Sequence, residues 1–129
     1  MNNLIASKAD LTKWSESIQM FLEITVSEDP TEIVERGNQL TVYMAQTGKM
    51  LADAKYHQDQ AVKNSILQRI ETNLSPSTLN KLIDADCEEE NYLVNWIERL
   101  NRTCTHQLDW CRSTLSKAKE EMRHQSWQS

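Results

Sequence analysis

Glu90 to Met122, ENYLVNWIERLNRTCTHQLDWCRSTLSKAKEEM, is the stretch on which the fold turns. It has no Gly and no Pro. Leu93, Ile97, Leu100, Cys104, Leu108, Cys111, Leu115, Ala118 and Met122 follow one another in steps of four and three. Those steps hold one apolar face toward a partner along a single helix. At 1.5 Å per residue the stretch predicts a helix of roughly 50 Å.

Working outward, the rest of the chain predicts more helix. The 129 residues hold two Gly and two Pro, too few turn-formers for a sheet protein. Ser7 or Asp10 caps a first helix over about 8–26, with Leu11, Trp14, Ile18, Phe21, Leu22 and Thr25 as its stripe. Asp29-Pro30, with Glu32 three residues after the cap, opens a second helix over about 30–73. Its stripe is Ile33, Leu40, Met44, Thr47, Leu51, Ala54, then Ala61 or Val62, Ile66 and Ile70. Gly37 is a candidate break. Ala45, Gly48 and Ala52 lie on one side and suggest close approach of another helix.

Ser75-Pro76 repeats the start signal for a short helix over 76–83. Asp84 or Asp86 caps the final helix, over about 86–124, beyond which the tail is expected to fray. The fold class expected is all-α: a long antiparallel, coiled-coil-like hairpin with a shorter N-terminal helix, in a single domain over 1–129. The first helix spans only about half of the hairpin. A second copy is the simplest cover for the remaining seam, so a homo-oligomer, a dimer or higher, is expected.

Charge and composition limit the function. A net charge of −5 argues against direct nucleic-acid binding, which relies on Lys and Arg. No apolar run approaches the roughly 20 residues of a membrane span, and the N-terminal residues lack signal-peptide character. Three Cys give no disulfide framework and read as small core residues.

A second line runs beside the core seam of the last helix: Tyr92, Trp96, Arg99, Thr103, His106, Trp110, Ser113 and Lys117. Tyr, Trp and Arg anchor interfaces, and they also stack on nucleobases while a cation meets phosphate. This line therefore reads as the flank of an oligomer core, a surface for another protein, or a small-ligand site. Lys49 and Tyr56 join the candidate binding residues if the hairpin register brings them near Tyr92, Trp96, Arg99 and His106. Asn101, Arg102, Asp109 and Arg112 read as a solvated polar face or as part of a polar network inside the bundle.

No catalytic, metal or cofactor motif is complete. Thr47-Gly48-Lys49 lacks the strand–loop–helix context of a phosphate loop. Glu121 with His124 is one pair where a di-iron bundle needs two and further Glu. Asp53 and His57 share a face without an evident third ligand, and Cys104 and His106 point apart. Glu32 and Glu35 find no matching acidic pair on a partner helix. A non-enzymatic protein is expected, without cofactor.

Tyr43–Val62 and Glu89–Met122 resemble a family of small, uncharacterised helical proteins encoded by phages and prophages of gut anaerobic bacteria. The resemblance rests on Tyr43, Met44, Ala45, Gly48, Leu51, Ala52, Ala54, Lys55 and Tyr56, then on Tyr92, Leu100, Asn101, Arg102, His106, Asp109, Arg112 and Ser113. It implies a phage context and the cytoplasm of a bacterial host, and it brings no established activity. The expectation is a self-associating phage-type interaction protein that binds a host or phage protein. The alternatives are an oligomeric anti-defence sponge for a signalling nucleotide and an accessory factor for phage DNA replication or recombination.

Overall fold

The computed structural model describes residues 4–128, so residues 1–3 of the expected leading segment and residue 129 lie outside it. Four helices follow in order: α1 (Lys8–Leu22), α2 (Pro30–Arg69), α3 (Pro76–Asp86) and α4 (Glu88–Gln128). The two long helices pack against each other as an all-α hairpin.

Side chains at the ends set the boundaries. Ser7, Asp29 and Ser75 each accept a backbone N–H of the helix they open, and Pro30 and Pro76 occupy first positions where no N–H is needed. α1 stops at Leu22, short of the expected Val26. Glu23 caps it, and Val26 turns in to pack on the core. α2 stops at Arg69, because the Thr72 hydroxyl and N–H both donate to the Arg69 carbonyl (2.6 and 3.1 Å) and take up an acceptor the helix would otherwise leave open. It passes without a break through Gly37 and Gly48.

α3 runs to Asp86, three residues further than its sequence predicts, and only Cys87 separates it from α4. The expected capping role of Asp86 is not made. Its carboxylate accepts from Ser65 Oγ (2.6 Å) and from Arg69 Nε and Nη2 (3.0 and 2.9 Å), which ties the α3–α4 corner to the end of α2. α4 is helical to Gln128, past the expected end at residue 124, and nothing between Gln125 and Gln128 breaks a helix.

The hairpin is antiparallel. Arg36 meets Gln107, Thr47 meets Asn101 and Gln58 meets Asn91, so partners on α4 fall in number as α2 advances. α1 lies in the groove between them, parallel to α4: Lys8 bonds Glu90, Gln19 bonds Trp96, and the Leu22 carbonyl accepts from Gln107. Burial is the largest influence on Glu90 and opposes its charge, but the Lys8 hydrogen bond, backbone hydrogen bonding and the Lys8 charge together outweigh it and leave that carboxyl below its ordinary value.

Leu11, Ile18 and Leu22 from α1, Ile33, Leu40, Met50 and Ala54 from α2, and the α4 seam from Leu93 to Cys111 form one core. Each side chain of this kind contributes about 1.5–3 kcal/mol when fully buried. The seam then runs out of cover. Leu115 and Ala118 are half-buried and Met122 is 69% exposed, because α2 begins at Pro30 and its first turn, at Ile33 and Val34, reaches only as far as Leu115. The last 13 residues of α4 thus extend about 20 Å beyond the bundle.

Three further expectations are corrected. Ile66 and Ile70 are exposed instead of lining the core, since α3 buries none of its own residues and covers the end of α2 only in part. Ala45, Gly48 and Ala52 face outward, and nothing lies within 4 Å of where a Gly48 Cβ would stand. Trp14 and Thr25, placed on the α1 stripe by their spacing, are exposed, and Ser15 is buried there instead.

Polar groups enter the interior in their place. Arg36 is buried, with its guanidinium 4.1 Å over the Phe21 ring and Nη2 donating to Gln107 Oε1 (2.7 Å). Its Nε has no partner among the described residues, and desolvation pulls its pKa down. No described helix is long and apolar enough to cross a membrane.

Candidate functional site

The line beside the core seam of α4 stays largely outside the bundle. Tyr92 is 69% exposed and Trp110 44%, and Arg99, Thr103, His106, Ser113 and Lys117 are exposed as well. Helical spacing produces this: the seam residues turn inward against α1 and α2, and the line one position away falls outside the width those helices cover. Trp96 is half-buried, because α1 reaches it and Gln19 Oε1 accepts from its indole N–H (3.1 Å). Gln19 in turn donates to Glu23 (3.1 Å).

Tyr92 and Trp96 stand ring to ring, with centroids 6.1 Å apart and planes tilted by 54°. They, with Arg99, Asn95, Thr103 and Gln19, line an open cleft of about 700 Å³ between α1 and α4. Stacking surface, a guanidinium and amide groups meet there, a set suited to a planar polar ligand or to a packed side chain. Neither Arg99 nor Arg102 makes an ion pair among the described residues. His106 and Trp110 lie further along α4, outside the cleft.

Lys49 and Tyr56 are not brought to this site. Lys49 lines a separate open cleft of about 630 Å³ between α1 and α2, so α1 stands between it and the α4 line. Its ammonium bonds both Asp53 oxygens (2.6 and 2.7 Å) and the Leu4 carbonyl (2.8 Å). Tyr56 packs edge-on against His57, with centroids 5.7 Å apart.

The polar residues around Lys49 instead bind the segment that leads into α1. Buried Asp53 accepts the Ala6 N–H (3.1 Å), and His57 Nε2 donates to the Ala6 carbonyl (2.7 Å). Spacing showed that Asp53 and His57 share a face. That the backbone of Ala6 lies between them has no signal in a one-dimensional pattern.

Of the two readings of this polar group, Asn101, which is half-buried, takes the network inside the bundle. Its side-chain amide donates to the Met44 carbonyl (3.1 Å) and to Thr47 Oγ1 (2.9 Å). Arg102, Asp109 and Arg112 are exposed, and Asp109 and Arg112 form a loose pair at 3.7 Å. Cys104 is buried while His106 is exposed, and burial pushes the Cys87, Cys104 and Cys111 thiols up. Among the described residues no three His, Cys, Asp or Glu side chains are grouped to hold a metal ion.

The class defined by this architecture is a helical hairpin bundle with an uncovered aromatic and cationic line on its longest helix. Comparison with protein-family models finds no match, and comparisons with curated proteins and with solved structures find none either.

Proposed function

We propose that this chain is a non-enzymatic helical interaction protein that self-associates and binds a second protein, of phage or bacterial-host origin, through the outer face of α4. The observation that carries the reading is the exposure of Tyr92, Arg99 and Trp110 on one face of one helix. These residue types are enriched where interfaces concentrate their energy. The length of α4 beyond the bundle adds further uncovered surface.

A second reading is supported by the cleft at Tyr92, Trp96 and Arg99: capture of a small planar anion such as a nucleotide. Native mass spectrometry of gently purified protein tests both. Multiples of the 15.0 kDa chain support self-association, and a monomer at micromolar concentration overturns it. A further few hundred daltons per site, lost in a Trp96→Ala/Arg99→Ala variant that keeps its oligomeric state, replaces protein binding with ligand capture.

A further inference from the structure

The exposed line on α4 reads the same way in both directions. Its steps from Tyr92 to Lys117 are four, three, four, three, four, three and four, symmetric about a point between Cys104 and Thr105. Alternating steps of four and three make a coiled-coil seam, and a seam symmetric about its centre can pair with itself across a two-fold axis. We infer that two copies of this chain dimerise through antiparallel packing of their α4 helices along this line, which rests on the self-association reading.

Centred between Cys104 and Thr105, the pairing places compatible side chains opposite one another along the line from Tyr92 to Lys117. Arg99 lies against the partner's Trp110, and Tyr92 against the partner's Lys117, so these two layers each set a cation beside an aromatic ring and the two-fold axis repeats them. Trp96 meets the partner's small Ser113, while Thr103 meets the partner's His106. The cleft between α1 and α4 is where the partner's Trp110 and Ser113 seat, since Arg99 and Trp96 line it.

The rim selects this register over its neighbours. Here Arg102 faces the partner's Asp109, twice by symmetry, and Glu88 faces the partner's Arg123. Sliding one helix by a heptad toward the α4 N-terminus sets Arg102 against the partner's Arg102. Sliding it the other way sets Asp109 against the partner's Asp109 and Arg99 against the partner's Lys117. Like charges at these central positions disfavour a register. In the favoured register Glu89 meets the partner's Glu120 at the outer end, and each already has a cation near it: Lys8 at 3.7 Å and Arg123 at 3.5 Å.

The groups involved are available. Arg102 makes no ion pair among the described residues, and Asp109 has only its loose contact with Arg112. The arrangement also lays Lys117 to Arg123, which extend beyond the bundle, along the start of the partner's α4.

Charge reversal on the full chain, followed by light scattering across a dilution series, tests the inference. Wild type is expected at twice the chain mass, 15.0 kDa each. Arg102→Asp or Asp109→Arg alone sets like charges opposed and weakens the dimer by roughly tenfold or more. The double variant Arg102→Asp/Asp109→Arg restores it. Both positions are exposed, and unchanged helical circular dichroism keeps folding out of the comparison. A wild-type dimer indifferent to the single reversals, or not rescued by the double, overturns this interface while leaving self-association intact. A wild-type monomer overturns both.

Discussion

Asn101 on α4 donates its side-chain amide to Thr47 Oγ1 on α2 across 2.9 Å, and the Thr47 hydroxyl is itself wholly buried. Thr47 Oγ1 also reaches the Tyr43 and Met44 carbonyls of its own helix (2.7 and 3.2 Å). This polar link sits between the Arg36–Gln107 and Gln58–Asn91 hydrogen bonds along the α2–α4 contact and helps to fix how the two long helices slide relative to each other. Asn101→Ala removes the cross-helix donor. It is expected to lower unfolding free energy by about 1–3 kcal/mol. Urea unfolding measures this, and an unchanged midpoint would show that the link adds nothing.

Asp86 makes the α3–α4 corner sensitive to acid. The hydrogen bond from Ser65 and then those from Arg69 hold its carboxyl below the ordinary carboxylate range. Its folded pKa therefore lies under the unfolded value of about 3.9. The unfolded chain takes up a proton first as pH falls, so the stabilisation is complete above that value and is lost through the folded pKa. Asp86→Asn should be less stable than wild type at pH 7 and show a shallower loss below about pH 4. Equal acid slopes for the two proteins would remove Asp86 as the sensor.

Gly48 stands on the outer side of α2 with open space around it. A methyl group there meets nothing, and the helix is freed of the backbone entropy that glycine loses on folding. Gly48→Ala is expected to raise stability by about 1 kcal/mol, read as a higher melting temperature. A destabilised variant would mean that this face is covered by another chain in solution.

Much of the fold is legible in the sequence. The caps at Ser7, Asp29 and Ser75, the two helix-opening prolines and the seam from Leu93 to Cys111 are local signals, and each acts where its residues stand. The extension of α3 to Asp86 was not legible. The Asp86 carboxylate is drawn to Ser65 and Arg69, which lie 21 and 17 residues earlier in the chain.

The candidate site divides in the same way. Spacing placed Tyr92, Trp96, Arg99, His106 and Trp110 on one face of one helix, and they remain there. Lys49 and Tyr56 were joined to them only by a guess at register, and α1 lies between.

The sequence by itself determined the helices, their caps and the two parallel lines on α4, because helical periodicity and end-capping are set within a few residues of chain. Only the tertiary structure decided that Asn101 turns inward to Thr47, that Asp53 and His57 hold the backbone of Ala6, and that Ile70 and Met122 are left uncovered. Those outcomes depend on where one helix ends against another. That relation is fixed by packing between distant segments and has no signature in either segment alone.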